Sequence, residues 1–252
     1  MHKAQEVANR IFSRLKNGVE TTSCTLTSND AKNLRLSLQK DAAEQLYSGV
    51  FSLAESIQGL DRGLYSWTTV KLYYSAFYFA RATLGLNGVG IIHRNGKPFQ
   101  WTASAGEFPS KCKGNTHKAT LNALQHYQQN SILFSQPIGV ENPYDWLISK
   151  RELVNYNIPK FCEPDTPPYF KFIKKLGVRR LVGTYADDAS HLYTFDPDHA
   201  MLAFPMAALN LLIADFKRLG VPGLSREDVI YLASQAFDSK GPLSNFQRIL
   251  LA

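Results

Sequence analysis

Apolar side chains recur every three or four residues along most of this 252-residue chain, a period that is typical of amphipathic α-helices. The first such stripe lies in residues 3–16. A longer one begins at Asn29 or Asp30, either of which can cap a helix, and continues to about Gln58. Residues 64–86 are the most apolar stretch of the first half. The sequence therefore predicts a mainly α fold.

One interruption breaks this helical pattern. Asn95-Gly96 stands between two short runs within residues 88–101, the strongest short-range signal for a β-hairpin. Residues 102–115 are predicted as loop, and residues 179–195 as a second small hairpin or an irregular loop. Further helices are predicted over 117–129 (cap Thr116), from Pro143 (cap Asn142) to about Tyr156, in 168–177, from Asp196 or Asp198 to about Leu219, and over 226–238 (cap Ser225). We expect a single helical domain, residues 1–252, with a hairpin-bearing insertion at about 88–135.

Composition excludes several classes of protein. Hydrophobic residues make up 44% of the chain and charged residues 19%, as in ordinary folded soluble proteins. The three cysteines are far apart and form no CxxC pair, which predicts free thiols in a reducing compartment. The longest apolar run, residues 200–214, is shorter than the roughly 20 residues that a membrane span needs. We therefore expect a cytoplasmic protein that contacts no membrane.

The usual sequence motifs of catalysis are absent. The chain has no phosphate-binding glycine loop, no GxSxG nucleophile motif and no HExxH zinc motif, so we expect no cofactor and no metal. Asp196, Asp198 and His199 would make only a partial metal shell. The two carboxylates are better explained as the first residues of a helix, where anions complement the helix dipole.

Positive charge is concentrated in the middle of the chain. Residues 150–180 carry 8 basic and 3 acidic side chains, a net +5 out of the total +7. This excess suits a phosphate-bearing partner, because Lys and Arg release counterions when they bind a polyanion; the alternative is a solvated basic face. A phosphate could also bind at the helix start near Thr116, beside Lys111, Lys113 and Lys118. Those lysines equally suit a surface loop.

Two arginines lie on apolar helix faces. Arg81 shares a stripe with Phe77 and Leu84, and Arg151 shares one with Val154. An unpaired charge on such a face is costly, so each arginine should meet a carboxylate, carbonyl groups or the phosphate of a partner. The alternative is a snorkelling or salt-bridged arginine with a structural role only.

The segments around these arginines resemble a known superfamily. YYSAFYFARATLGLNG (73–88) and SKRELVNYN (149–157) are similar to the motif-bearing helices of the HEPN superfamily. These helical bundles are common in prokaryotic toxin and antiphage systems and include RNA-cleaving nucleases. A more distant similarity is to the YaaC-like proteins. The resemblance implies an HEPN-like helical bundle and a homodimer formed through these helices.

The chain departs from the superfamily at the residue that performs catalysis. Active members use an Arg-x4-6-His pair to cleave RNA without a metal, whereas Tyr156, Asn157 and Ile158 follow Arg151 at those spacings. Tyr, with a pKa of about 10, is a poor base near neutral pH. The first hypothesis is therefore a catalytically degenerate subunit that binds nucleic acid or a partner protein from the same operon. Such a subunit would act in an antiphage-defence or toxin–antitoxin system.

The alternative hypothesis is a metal-independent ribonuclease with a non-standard active site. Its catalytic residues would be Arg151, Asn155 and Tyr156, with His117 or His126 supplied from the insertion. The side chains expected to bind RNA or DNA are Arg81, Arg94, Lys111, Lys113, His117, Lys118 and Lys150.

Overall fold

The computed structural model describes residues 2–16, 19–236, 240–244 and 246, and within them the protein is mainly helical. This confirms the predicted mainly α class and the presence of a small antiparallel sheet. The helices are α1 Lys3–Phe12, α2 Ser28–Asp61, α3 Tyr65–Leu86, α4 Thr116–Tyr127, α5 Pro143–Glu152, α6 Pro168–Leu176, α7 Val178–Ala186, α8 Ala200–Leu219 and α9 Arg226–Ala236. The strands are β1 Val89–Arg94, β2 Lys97–Thr102 and β3 Ser110–Lys111.

Contacts divide the chain into two compact units. The first unit contains Met1–Leu46, Ala80–Gln129 and Asp215–Gly223, and the second contains Tyr47–Phe79, Asn130–Ala214 and Leu224–Ala252. The predicted insertion at 88–135 thus falls mainly in the first unit, with the beginning of the chain. The single domain expected from the sequence stays a prediction.

The first unit is built around α1 and the sheet. Its core combines the apolar stripe of α1 with the start of α2 and the inner side of the hairpin. Trp101 of β2 is fully buried, and its ring stacks on Phe12 of α1 at 5.2 Å between centroids. The sheet has the order β1-β2-β3 with antiparallel pairing throughout. This packing fixes β1 and its side chains against α1.

The hairpin forms where the sequence predicts it. Asn95 and Gly96 adopt φ angles of 51° and 73°, the left-handed pair that a two-residue hairpin turn requires. Strand β3 lies inside the 102–115 segment that was predicted as loop, so that prediction was wrong at Ser110–Lys111. Its two residues pair with Phe99 and Gln100 of β2 at the exposed edge of the sheet, and so short a strand leaves no alternating pattern to detect.

The second unit packs aromatic side chains between helices. Tyr144 of α5 meets Phe204 of α8 edge-on, with the ring centroids 5.2 Å apart. Thr69 of α3 hydrogen-bonds Tyr169 of α6 at 3.2 Å. At the start of α3, the Ser66 N–H and hydroxyl both donate to the Glu163 carboxylate at 2.7 Å, so the segment before α6 caps α3.

Three predicted helix ends or caps need correction here. α1 ends at Phe12 rather than at residue 16, and α2 begins at Ser28 rather than after Asn29 or Asp30. Thr27 performs the capping there, because its hydroxyl accepts from the N–H of Asp30 at 3.1 Å. Asn115, not Thr116, caps α4. The Asn142 cap with Pro143 at the first turn of α5 is confirmed, as is the Ser225–Asp228 capping box of α9.

The segment 179–195 was predicted as a hairpin or irregular loop, which is correct for residues 187–195 but wrong for residues 179–186. Val178–Ala186 is helix α7, and its buried face comprises Val178, Leu181, Val182 and Tyr185. These positions follow the helical spacing, but the branched and glycine residues around them favour other structure. Burial of this apolar face in the folded protein therefore determines that residues 178–186 are helical. The predicted end of the last helix at 238 lies outside the described residues. So does most of SNFQRILLA (244–252), a segment whose sequence predicts a short helix or tail.

Helix α8 is long and apolar enough to cross a membrane, but 67% of its most apolar window is buried inside the protein. Burial of this kind is typical of the core helix of a soluble protein.

Gly49 marks a close approach between α2 and α3 in the second unit. Ser75 Oγ donates to the Gly49 carbonyl at 2.9 Å, and a Cβ at this position would lie 2.7 Å from Cδ1 of the buried Phe79 ring. We expect Gly49→Ala to lower the free energy of unfolding by about 1–2 kcal/mol, because overpacking outweighs the better helix propensity of alanine. Urea unfolding measures this loss. Gly223→Ala is the control, since its Cβ would meet only ordinary contacts at 3.6 Å, and equal effects of the two changes would contradict the prediction.

Candidate functional site

Arg151, near the end of α5, lies between two aromatic rings. Its guanidinium carbon is 5.1 Å from the centre of the Tyr73 ring in α3 and 5.5 Å from that of Tyr156. Its Nε is buried without a hydrogen-bond partner among the described residues. Tyr73 is buried, and burial raises the pKa of its hydroxyl far above the ordinary value, so this ring stays neutral. Arg151 is therefore held by cation–π contacts. The sequence analysis expected instead a carboxylate, carbonyl or phosphate partner, or a snorkelling or salt-bridged arginine.

A widened helical turn brings Tyr156 to this position. After Glu152 the α-helix gives way to a π-helical turn, Leu153–Asn157. In an α-helix the residue one turn after Arg151 would be Asn155, whereas the π-turn lengthens the repeat and places Tyr156 against the guanidinium. Asn155 is exposed. The α-helix predicted from Pro143 to about Tyr156 therefore ends at Glu152, and the π-helical turn replaces its last part.

Residues 151–162 contact α3 at positions that lie progressively nearer to the start of that helix. Tyr73 contacts Arg151, Trp67 meets Phe161 with centroids 5.8 Å apart, and the Cys162 N–H donates to Ser66 Oγ at 3.1 Å. Three large aromatic side chains on this path remain exposed, namely Tyr156 (69%), Trp67 (54%) and Phe161 (50%). We call these three residues together with Arg151 the aromatic row. It lies within the second unit, which also holds the whole +5 segment.

The other predicted nucleic-acid-binding residues lie mostly in the first unit. Lys150 is the exception, with its ammonium 5.0 Å above the Trp146 ring. Arg94 stacks over Phe12 at 5.1 Å and donates to the Thr21 hydroxyl at 3.3 Å, so it helps to hold the hairpin. Lys111, Lys113 and Lys118 are exposed, and His117 is half-buried, near the start of α4. His117 and His126 both belong to α4, and their delivery to Arg151 stays a prediction.

The first unit contains a cavity of about 170 Å³ between α1, α2, α3, β1 and the first turn of α4. Its polar lining combines one cation, one carboxylate, two imidazoles, two amides and two hydroxyls, from Arg81, Asp41, His2, His93, Gln5, Gln45, Thr116 and Thr120. Arg81 was predicted as a binding residue, whereas His2, His93 and Thr120 were missed. The available signal was Thr120, a hydroxyl on the apolar face of α4.

Hydrogen bonds orient both imidazoles of the cavity. Arg81 Nη2 lies 3.3 Å from His2 Nε2, and since a guanidinium only donates, the imidazole nitrogen accepts. His93 Nε2 pairs with Thr116 Oγ1 at 2.9 Å, and the His93 backbone N–H donates to the Gln5 side chain at 2.8 Å. Burial lowers the pKa of both histidines, and the positive charge of Arg81 lowers it further. Both rings are therefore neutral near pH 7.

Asp196, Asp198 and His199, the residues weighed above as a partial metal shell, have a structural role. Asp196 Oδ1 accepts from the N–H of Asp198 at 2.9 Å, and the buried His199 shares a 2.6 Å hydrogen bond between its Nδ1 and the Tyr185 hydroxyl. Across the part of the chain that the structure describes, no cluster of three potential metal ligands occurs.

Comparison of this chain with protein-family models, curated proteins and solved structures finds no match. The class that the coordinates define is thus a mainly helical protein with a three-stranded antiparallel sheet. The resemblance to the HEPN superfamily stays a prediction from the residues of α3 and α5.

Proposed function

We propose that this protein is a nucleic-acid-binding subunit that contacts single-stranded RNA through the aromatic row. The observation that carries the proposal is Arg151, positioned between the rings of Tyr73 and the exposed Tyr156. Exposed aromatic rings alternating with basic side chains are typical of surfaces that stack bases and neutralise phosphates.

Energetics favour a partner that covers the aromatic row over a bare solvent-facing surface. Exposed rings of this size forgo the gain from burial, about 25 cal/mol per Å² of apolar surface, unless a partner covers them. Each stacked base contributes about 1–3 kcal/mol to binding. The +5 charge of residues 150–180 supplies the complementary attraction to phosphates.

Within the resemblance to the HEPN superfamily, this subunit is catalytically degenerate. Tyr156 stands at a spacing where active members have histidine, and it stacks on Arg151 rather than offering a base of neutral pKa. We propose that the protein acts in the cytoplasm as a homodimer in an antiphage-defence or toxin–antitoxin system. A ribonuclease that uses Arg151, and a subunit that binds a partner protein instead, are the outcomes that would replace this proposal.

Fluorescence anisotropy with a labelled single-stranded RNA tests the proposal. We expect Tyr156→Ala to weaken binding about 5- to 100-fold through the loss of one stacked base. Arg151→Gln should weaken it to a similar extent. The matched controls are Tyr231→Ala, a ring that is 48% exposed on α9, and Arg226→Gln, an exposed arginine of the same unit; both should bind like the wild type.

The same samples separate the alternatives. Affinity should fall as salt rises, because binding releases counterions. RNA cleavage that is lost in Arg151→Gln would establish the ribonuclease instead. Absence of RNA binding, or equal losses in the variants and their controls, would overturn the proposal.

A further inference from the structure

We infer that the cavity of the first unit is a binding site for a phosphate group, as inorganic phosphate or a phosphate monoester, held by Arg81, His2, His93 and Thr120. This site goes beyond the RNA-binding surface, which belongs to the second unit. Its test uses other residues and another ligand, so the two proposals succeed or fail separately.

The side chain of Thr120 is the first indication of a ligand. Thr120 is fully buried, lines the cavity, and its hydroxyl has no hydrogen-bond partner among the described residues. A buried hydroxyl without a partner is costly, and native proteins rarely retain one unless a water, an ion or a ligand satisfies it. This hydroxyl can donate to an oxygen inside the cavity.

Two features around Thr120 favour an anion as the ligand. Arg81 is a permanent cation on the wall, and the first turn of α4 adds the partial positive charge of a helix N-terminus. The carboxylate of Asp41 also borders the cavity, but its oxygens accept from the N–H groups of Lys3 and Ala4 at 2.8 and 3.0 Å. Its charge is thus engaged at the start of α1.

The donor set suits a tetrahedral oxyanion. Arg81 carries five N–H donors, each neutral imidazole carries one ring N–H, and Thr120 carries a hydroxyl. These donors approach from four elements, α3, the residue before α1, β1 and α4. The cavity of about 170 Å³ accommodates a group of this size, with room for a small ester substituent.

Calorimetry and thermal unfolding with inorganic phosphate test the inference, with sodium chloride at equal ionic strength as the reference. At ten times the Kd we expect phosphate to raise Tm by about 3–6 °C. Arg81→Gln should weaken phosphate binding about 10- to 100-fold, since hydrogen bonds to charged groups are strong. Arg10→Gln, an exposed arginine on α1 outside the cavity, should bind as the wild type does.

Thr120→Val separates a binding role from a structural one. The substitution keeps the shape and removes an unpaired hydroxyl, so the Tm without ligand should stay the same or rise. Phosphate affinity should nevertheless fall about 3- to 10-fold. Unchanged affinity in Thr120→Val and Arg81→Gln, or no saturable phosphate effect in the wild type, would overturn the inference. Tighter binding of methyl phosphate than of phosphate would identify a monoester as the ligand, and weaker binding would identify phosphate itself.

The pH dependence of anion binding gives a second readout. His2 faces Arg81, Asp41, Glu44 and the N-terminal amine, and His93 faces Arg81 and His2. The amine stays charged below its ordinary pKa of about 8, so at lower pH the imidazoles change charge. Because both pKa values are lowered from 6.5, the rings take up protons below that pH. Sulfate keeps its charge there, so its affinity should rise as pH falls from 7 to 5, by at most about tenfold per pH unit for each proton taken up. A sulfate affinity that does not change with pH in the wild type would contradict the role of the histidines.

Discussion

Trp101→Ala is expected to lower the free energy of unfolding by about 3–5 kcal/mol, as large aromatic truncations in cores do. Trp101 is fully buried, stacks on Phe12, and its indole N–H donates to the carbonyl of Glu107 at 3.3 Å. The truncation would leave a cavity between α1 and the hairpin and a carbonyl without its donor. Chemical denaturation with the fluorescence of the remaining tryptophans measures the loss.

Trp67→Ala is the matched control, because the same substitution is made at a side chain that is 54% exposed. Its cost should stay below about 1 kcal/mol, as for most surface changes. Trp67→Ala should nevertheless weaken RNA binding, since Trp67 belongs to the aromatic row, which does not include Trp101. Similar losses of stability in the two variants would show that burial does not distinguish the two tryptophans.

Asp41→Ala is expected to lower the free energy of unfolding by about 2–4 kcal/mol, because two N–H groups would lose their acceptor. The Asp41 side chain is 38 positions along the chain from Lys3, yet it accepts from the first two N–H groups of α1. It is also 4% exposed, so water does not readily replace it.

Two further variants test this explanation. Asp41→Asn retains one acceptor oxygen and should lose about half as much stability. Glu44→Ala removes an ion pair with Lys3 in which the Glu44 side chain is 55% exposed and the Lys3 side chain 49% exposed. This change should lower the free energy of unfolding by less than about 1 kcal/mol. Thermal unfolding of the three variants gives the order, and a larger loss in Glu44→Ala than in Asp41→Ala would refute it.

Local signals in the sequence predicted local structure well. The Asn95-Gly96 turn and the Asn142-Pro143 helix start were correct because a few adjacent residues determine each of them. Prediction failed at α7, because Gly183 and the branched residues have low helix propensity. The apolar side chains of α7 have helical spacing, but they stabilise a helix only through their burial in the folded protein. It also failed at β3, whose two residues form a strand only through their partner β2.

The candidate sites were predictable in part only, because distant segments build them. Arg81 and Arg151 stood out as charges on apolar faces, and the structure gives each a defined environment. The residues that line the cavity with Arg81 include residues 2, 93 and 120, and no short sequence pattern links them. Tyr156 was expected beside Arg151, but the widened turn that sets their contact has no signature in the residue types alone.

The π-turn at Leu153–Asn157 has a consequence for detecting homologues of this chain. A π-turn holds one residue more than the α-helical turn that it replaces. A homologue that lacks one residue between Arg151 and Tyr156 would therefore have an ordinary α-helical turn at this place. Arginine and tyrosine would then be four positions apart and would still stack, because residues i and i+4 share a helix face. Pattern searches with a fixed Arg–Tyr interval would overlook such homologues, whereas alignments that tolerate a gap between the two residues would recover them.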